Sequence, residues 1–156
     1  GLSLGANATF IDSEVTLPAD EAKQFNDPAI KVPISKRDMT NAPEHLYNLY
    51  MTYDIPDAGT QFAVFYTVKG DSLVTGAGIS KGNFVPSIYE TEVGVLNASI
   101  SQTFGDEDRW KLQFQAKNLL DPDIEEVYRS SSTGPDVTRT SYTRGREYSL
   151  SLSGRF

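Results

Sequence analysis

The strongest constraint on the fold is a two-residue alternation of apolar and polar side chains that recurs along the chain. It covers six segments, which are residues 2–17, 45–54, 60–69, 88–104, 109–118 and 146–156. Alternation of period two is typical of a β-strand with one apolar and one polar face. No segment shows a competing helical period. The sequence therefore predicts an all-β chain with six main strands.

One face of each predicted strand is apolar, and none of these faces carries a charged residue. Their members are Leu2, Leu4, Ala6, Ala8, Phe10, Tyr47, Leu49, Met51, Tyr53, Phe62, Val64, Tyr66, Val68, Leu96, Ala98, Ile100, Gln102, Phe104, Trp110, Leu112, Phe114, Ala116, Tyr148, Leu150, Leu152, Gly154 and Phe156. A face without charge suits lipid, where an Arg or Lys at the bilayer midplane costs about 2–4 kcal/mol. No apolar run approaches the ~20 residues of a spanning helix. That excludes a helical membrane protein only, because half-polar barrel strands keep hydropathy averages low.

The connections between the segments alternate strictly between short and long. Two are tight polar turns, "PDAGT" at 56–60 and "GDED" at 105–108. Three are long, at 18–43, 70–87 and 119–144. An outer-membrane barrel requires this alternation, whereas a sandwich does not. The pattern predicts an antiparallel transmembrane β-barrel segment of six meandering strands, with short periplasmic turns and long extracellular loops.

Aromatic residues gather at both ends of the predicted strands. The periplasmic aromatic belt is predicted at the short-turn ends and the C-terminus, from Tyr53, Phe62, Phe104, Trp110 and Phe156. A second group lies towards the long loops, with Phe10, Tyr47, Tyr66 and Tyr148. Amphipathic rings favour the two interfaces of a membrane. The two groups therefore match the aromatic belts of a barrel.

Three motifs resemble the C-terminal end of TonB-dependent outer-membrane receptors. Residues 41–56 read "NAPEHLYNLYMTYDIP", similar to that family's proline followed by a "Y-D" strand and turn. Residues 115–123 read "QAKNLLDPD" and resemble its "NLxD" at the top of the penultimate strand. Residues 142–156 read "YTRGREYSLSLSGRF" and resemble its "Y-x-x-G-R-x-Y" ending in Arg-Phe. Gly154 departs from the pattern, since the family often carries an aromatic residue there.

The resemblance implies that residues 1–156 are the C-terminal portion of a 22-stranded barrel, its last six strands, with the plug domain and the other strands outside this chain. Gly1 would then lie mid-chain in a longer protein. The implied function is active import of a scarce nutrient, such as a siderophore–iron complex, cobalamin or a glycan, across the outer membrane of a Gram-negative bacterium. The implied partners are lipid, the rest of the barrel and plug, TonB through the missing N-terminal part, and the assembly machinery. The implied assembly signal is Tyr148, Leu150, Leu152 and Phe156.

Composition limits the other chemistry. The chain has no cysteine and one histidine, His45, so it cannot build a cysteine site or a histidine cluster. The net charge of −7 argues against a nucleic-acid partner. No nucleophile–base pair is recognisable, so we expect no enzyme and no cofactor. Residues 121–126, "DPDIEE", are dense enough in carboxylates for Ca²⁺ but lack EF-hand spacing, and a solvated acidic loop is the favoured interpretation.

Basic residues on the polar faces of the predicted strands form one further group. They are Lys69, Lys111, Lys117 and Arg155. In a barrel they face the plug or water, and attraction of an anionic siderophore is a further role that the pattern leaves open.

Two other protein classes fit the alternation. One is a soluble β-sandwich, a carbohydrate- or metal-binding module whose apolar face points inward. The other is a small stand-alone or oligomeric barrel. Six strands alone leave two open edges, which must close with another chain.

Overall fold

The computed structural model describes residues 1–28, 30, 32–130 and 134–155. Phe156, predicted for the aromatic belt and the assembly signal, lies outside the described residues. The chain is mostly antiparallel β, with 61% of it in strands. Its elements are β1 (Leu2–Phe10), β2 (Glu14–Thr16), α1 (Ala19–Phe25), β3 (Lys36–Asp38), β4 (His45–Ile55), β5 (Thr60–Lys69), β6 (Ser72–Thr75), β7 (Gly78–Ser80), β8 (Asn83–Val85), β9 (Ser87–Glu90), β10 (Val93–Phe104), β11 (Trp110–Lys117), β12 (Ile124–Arg129), β13 (Val137–Tyr142) and β14 (Glu147–Gly154).

The six long strands form one antiparallel sheet, which we call the main sheet. Its order is β1-β4-β5-β10-β11-β14, so each long strand pairs with the next long strand along the chain. The predicted six-stranded meander is confirmed. Within the described residues the main sheet is open, with β1 and β14 at its edges.

The register of the main sheet aligns the predicted apolar faces. One row across all six strands joins six residues in register, Leu4, Met51, Val64, Ala98, Ala116 and Tyr148. Directly paired residues of an antiparallel sheet point to the same side. The main sheet therefore has one apolar face and one mainly polar face, as the alternation predicts. The polar face has apolar exceptions in Ala63 and in Tyr50 and Phe65, whose rings stack on one another.

Both short connections are tight turns, as predicted. Residues Pro56–Ala58 form a 3₁₀ turn that Gly59 ends in the left-handed region, with φ of 63°. A second tight turn covers Asp106–Asp108 and follows Gly105, whose φ is 85°. Glu107 and Asp108 in this turn also have positive φ, 57° and 52°. Glycine adopts positive φ without the steric cost that a Cβ imposes. These turns reverse the chain between β4 and β5 and between β10 and β11.

The predicted first and fourth strands are shorter than their alternation. β1 ends at Phe10, and the fourth segment divides into β9 and β10. The division falls at two residues that bond elsewhere: Thr91 donates its N–H to the Glu125 carbonyl (3.0 Å), and Glu92 donates its N–H to the Asp71 carboxylate (2.7 Å). These two N–H groups are therefore not available for hydrogen bonds between neighbouring strands, and the strand is interrupted at residues 91–92.

The sequence shows no helical period, and α1 is a short helix that the pattern did not predict. This seven-residue helix starts after Pro18 and carries Asp20 and Glu21 in its first turn, where acidic side chains favour the helix dipole. It buries only Phe25. A helix of about two turns with one buried residue shows no apolar period of 3.6, which is why the pattern missed it. Among the described residues, no helix has the length and apolar character needed to cross a membrane.

The three long connections carry a second sheet that the alternation did not predict. Its order is β13-β12-β9-β6, and each strand adjoins one long strand in sequence. Five of the seven buried apolar side chains among the described residues lie in or beside these connections, namely Leu17, Phe25, Leu73, Ile124 and Val127. Leu73 is fully buried. We call this packed region the loop cluster.

Candidate functional site: the two faces of the main sheet

The apolar face of the main sheet is largely uncovered. Leu4 is 69% exposed, Leu150 is 70% exposed and the central Met51 is 40% exposed. The described residues place no second layer over these side chains, because the second sheet belongs to the loop cluster. An uninterrupted apolar surface of this extent marks a contact with a partner or a membrane.

The turn end of the apolar face carries four of the five predicted belt residues. Tyr53 pairs with Phe62 across β4 and β5, and Phe104 pairs with Trp110 across β10 and β11. All four side chains are exposed. The structure therefore brings the four aromatic residues together at one end of the face, and their periplasmic location stays a prediction.

The loop end of the apolar face also carries aromatic rings. Phe10 contacts Tyr47 edge-on, with ring centroids 5.7 Å apart. Tyr47 stacks on His45 at 4.6 Å. Tyr148 stacks on Phe114 at 6.2 Å. The apolar face is thus bounded by aromatic residues at both strand ends.

Trp110 occupies the space above Gly154, where the resemblance leads one to expect an aromatic residue. The two residues are direct partners across β11 and β14. A Cβ built on Gly154 would lie 2.7 Å from the Trp110 ring. An aromatic side chain that covers a cross-strand glycine supplies the packing that glycine lacks.

We expect the change Gly154→Ala to displace the Trp110 ring and to cost about 1 kcal/mol of unfolding free energy, as overpacking does. Trp110 is the only tryptophan, so its fluorescence reports this position directly. The emission maximum should shift in Gly154→Ala and stay unchanged in Ser153→Ala, on the opposite face. Identical spectra for wild type and Gly154→Ala would contradict the contact.

The polar face is joined by cross-strand hydrogen bonds. Asn48 donates to Asn7 (2.9 Å) and accepts from Thr67 (2.8 Å), which links β1, β4 and β5. Gln61 donates to the carboxylate of Asp54 (2.6 Å) near the turn end. The amide and hydroxyl groups thus satisfy one another along the strands.

The predicted basic residues of the polar face divide between its two ends. Lys69 and Lys117 lie at the loop end, where each binds a glutamate, Glu90 (2.6 Å) and Glu147 (2.8 Å) respectively. Lys111 lies at the turn end of β11, opposite Thr103 and Ser153. Arg155 follows β14 at the same end, and its backbone N–H donates to the Arg109 carbonyl (3.0 Å).

The "NLLD" and "Y-T-R-G-R" motifs are bonded to each other. Asn118 donates its side-chain amide to the Gly145 carbonyl (2.7 Å) and to Asp121 (3.3 Å). Asp121 in turn accepts the Gly145 N–H (2.9 Å). Arg146 donates its Nε to the Leu119 carbonyl (2.8 Å). The two segments that flank the last loop therefore close against one another.

Asn118 also has a left-handed backbone, with φ of 56°. Its side-chain amide and its backbone conformation contribute separately to stability, and two variants distinguish these contributions. Asn118→Gly removes the amide but keeps the backbone unstrained, whereas Asn118→Ala removes the amide and strains the backbone. We expect losses of about 1 kcal/mol and about 2 kcal/mol of unfolding free energy respectively. Denaturant titration measures both, and equal losses would contradict the backbone contribution.

Arg129 is the centre of a charged cluster that the sequence analysis missed. Its guanidinium binds Asp71 (2.8 Å) and Asp136 (2.7 Å) and lies over the Tyr89 ring, 4.6 Å from the centroid. The Tyr89 hydroxyl donates to Asp38 (2.7 Å). All three long connections contribute a residue. These five residues are the Arg129 cluster.

The Arg129 cluster shifts its own ionisation equilibria. The hydrogen bonds with Asp136 raise the pKa of Arg129 and hold the pKa of Asp136 below its usual range. Burial, and then the hydrogen bond to Asp38, raise the pKa of the Tyr89 hydroxyl. Arg129 and Asp136 are thus charged, and Tyr89 is neutral, at physiological pH.

The acidic stretch 121–126 has other partners in the structure. Asp121 serves the motif contact described above, and Glu126 pairs with Arg139. In the part of the chain that the structure describes, no three His, Asp or Glu residues are grouped to hold a metal ion. No family model, curated protein or solved structure matches the chain.

Proposed function

We propose that the chain is the C-terminal portion of an outer-membrane receptor of the TonB-dependent type. The main sheet forms part of the barrel wall, with its apolar face against lipid and its polar face towards the lumen. The observation that carries this proposal is the exposed, uncharged apolar face that extends over six meandering strands. Such a face is stable in contact with lipid, whereas its exposure to water favours aggregation.

Two further features support the proposal. The connections are tight turns at one end of the main sheet and a folded loop cluster at the other, the asymmetry of outer-membrane barrels. Aromatic rings lie at both ends of the apolar face, as they do at the two interfaces of a membrane. The turn end is then periplasmic and the loop cluster extracellular.

In this proposal the chain contributes to transport through binding and conformational change, without a covalent step. The loop cluster and the plug domain capture a scarce nutrient, such as a siderophore–iron complex, cobalamin or a glycan. TonB acts on the plug, outside this chain, to admit it. Tyr148, Leu150 and Leu152, exposed along the edge strand β14, are offered to the assembly machinery together with Phe156.

A blot of the source-cell outer membrane tests the proposal, using an antibody against residues 143–156 and samples run boiled and unboiled. We expect a band several times larger than 17.2 kDa in the membrane fraction, with a mobility that changes on boiling. A band in the soluble fraction that does not respond to boiling would contradict the proposal and favour the β-sandwich module.

A further inference from the structure

A cavity of about 580 Å³ opens on the polar face at its loop end. Strands β5, β10 and β11 and the segment that precedes β14 line it. Its volume lies within the range of about 300–1,000 Å³ that small-molecule sites occupy. Part of the lining is apolar, from Val93, Val95, Pro122 and Ile124. The remainder is polar or charged, which gives the cavity the mixed lining of a ligand site.

The cavity is positively charged, although the whole chain carries −7. Four of its lining residues are basic and two are acidic. The two glutamates are bound to Lys69 and Lys117, so both lysines are compensated. The uncompensated charge therefore lies on Arg144 and Arg146, on either side of Gly145.

The two arginines differ in the hydrogen bonds that their side chains already make. Arg146 directs its Nε to the Leu119 carbonyl. Arg144 lines the same cavity and has no hydrogen bond or ion pair within the described residues. Gly145 between them is fixed by Asn118 and Asp121. The protein thus holds the backbone of this segment in place and leaves guanidinium donors available at the cavity.

We propose that this cavity binds a small molecule that bears carboxylate or phosphate groups, with Arg144 and Arg146 as its anion-binding residues. A guanidinium presents paired N–H donors that match the oxygens of either group, and such charge-assisted bonds are about twice as strong as neutral ones. Val93 and Val95 contact the apolar body of the ligand. The inference deepens the proposed function by naming an anionic substrate class. It rests on that function, because solutes reach this face only if it faces the lumen.

Calorimetric titration of the protein that contains this chain, purified in the presence of detergent, tests the site with citrate and with pyrophosphate. Trimethyl citrate, the uncharged match of citrate, should not bind. We expect Arg144→Gln to weaken binding about tenfold, the loss of one charge-assisted contact, and Arg144→Glu to abolish it. Arg155→Gln, which removes a basic residue at the other end of the sheet, should leave the affinity unchanged. The tighter of the two probes distinguishes a carboxylate from a phosphate ligand.

The result that overturns the inference is the absence of binding by both anions, or equal affinity in wild type and Arg144→Glu. Arg144→Lys tests the contribution of the paired N–H donors of the guanidinium, because lysine keeps the charge but lacks these donors. Binding is measured without transport or TonB. Failure of the site therefore leaves the heat-modifiable band unchanged, and failure of the proposed function leaves the titration interpretable.

Discussion

Replacing Ala98 with arginine is expected to lower the unfolding free energy of the lipid-inserted protein by about 2–4 kcal/mol. Ala98 lies near the middle of β10 on the apolar face, between Val64 and Ala116. The neighbouring Ser99 lies on the polar face, between Ala63 and Gln115. Ser99→Arg should therefore change the free energy by less than about 0.5 kcal/mol. The two variants differ by one position and install the same side chain.

The size of the new side chain is controlled by Ala98→Leu, which adds bulk without charge and should be tolerated against lipid. Guanidinium titration of protein inserted into lipid vesicles measures all three variants. Similar losses for Ala98→Arg and Ser99→Arg would refute the assignment of the apolar face to lipid. A large loss in Ala98→Leu would indicate that the face packs against protein instead.

The main sheet was predictable because each long strand separates two environments along its whole length. Residues 62–68 place Phe62, Val64, Tyr66 and Val68 on one face, and β5 has the bounds predicted for this strand, 60–69. Successive side chains of such a strand point to opposite faces of the sheet. A strand with one apolar and one polar face therefore shows a period of two in its own sequence. Pairing then follows chain order, because tight turns join two of the strand pairs.

The loop cluster was not predictable in the same way. The strands of its sheet are four to six residues long, too short for alternation to stand out. The Arg129 cluster joins residues from 38 to 136, and no spacing in the sequence indicates that these residues meet. The contact of Trp110 with Gly154 depends on register between two strands. Long-range register, rather than local pattern, determines these sites.

Replacing Arg129 with methionine is expected to loosen the loop cluster while the main sheet stays intact. The variant leaves Asp71 and Asp136 without their counter-charge at sites that are about three-quarters buried. Removing one partner of a fully buried pair costs about 3–5 kcal/mol, and residual solvent access reduces this to about 2 kcal/mol. Hydrogen exchange should accelerate in β6, β9, β12 and β13 and remain slow in β5 and β10.

The matched control is Arg139→Met, which removes a more exposed arginine that pairs with one carboxylate, Glu126, instead of two. Its effect on exchange should be small, as for a surface ion pair.

The pH dependence follows from the lowered pKa of Asp136. Arg129 stabilises the ionised carboxylate, so its contribution is present above the ordinary value of 3.8 and is lost as the pH falls through the lower folded pKa. Arg129→Met should therefore show a smaller loss of loop protection on acidification than wild type does. Equal protection in both proteins would mean that other contacts between the long connections hold the loop cluster together, such as the backbone hydrogen bond from Asn41 to Leu73 (2.8 Å) and the edge contact of Phe25 with Phe84.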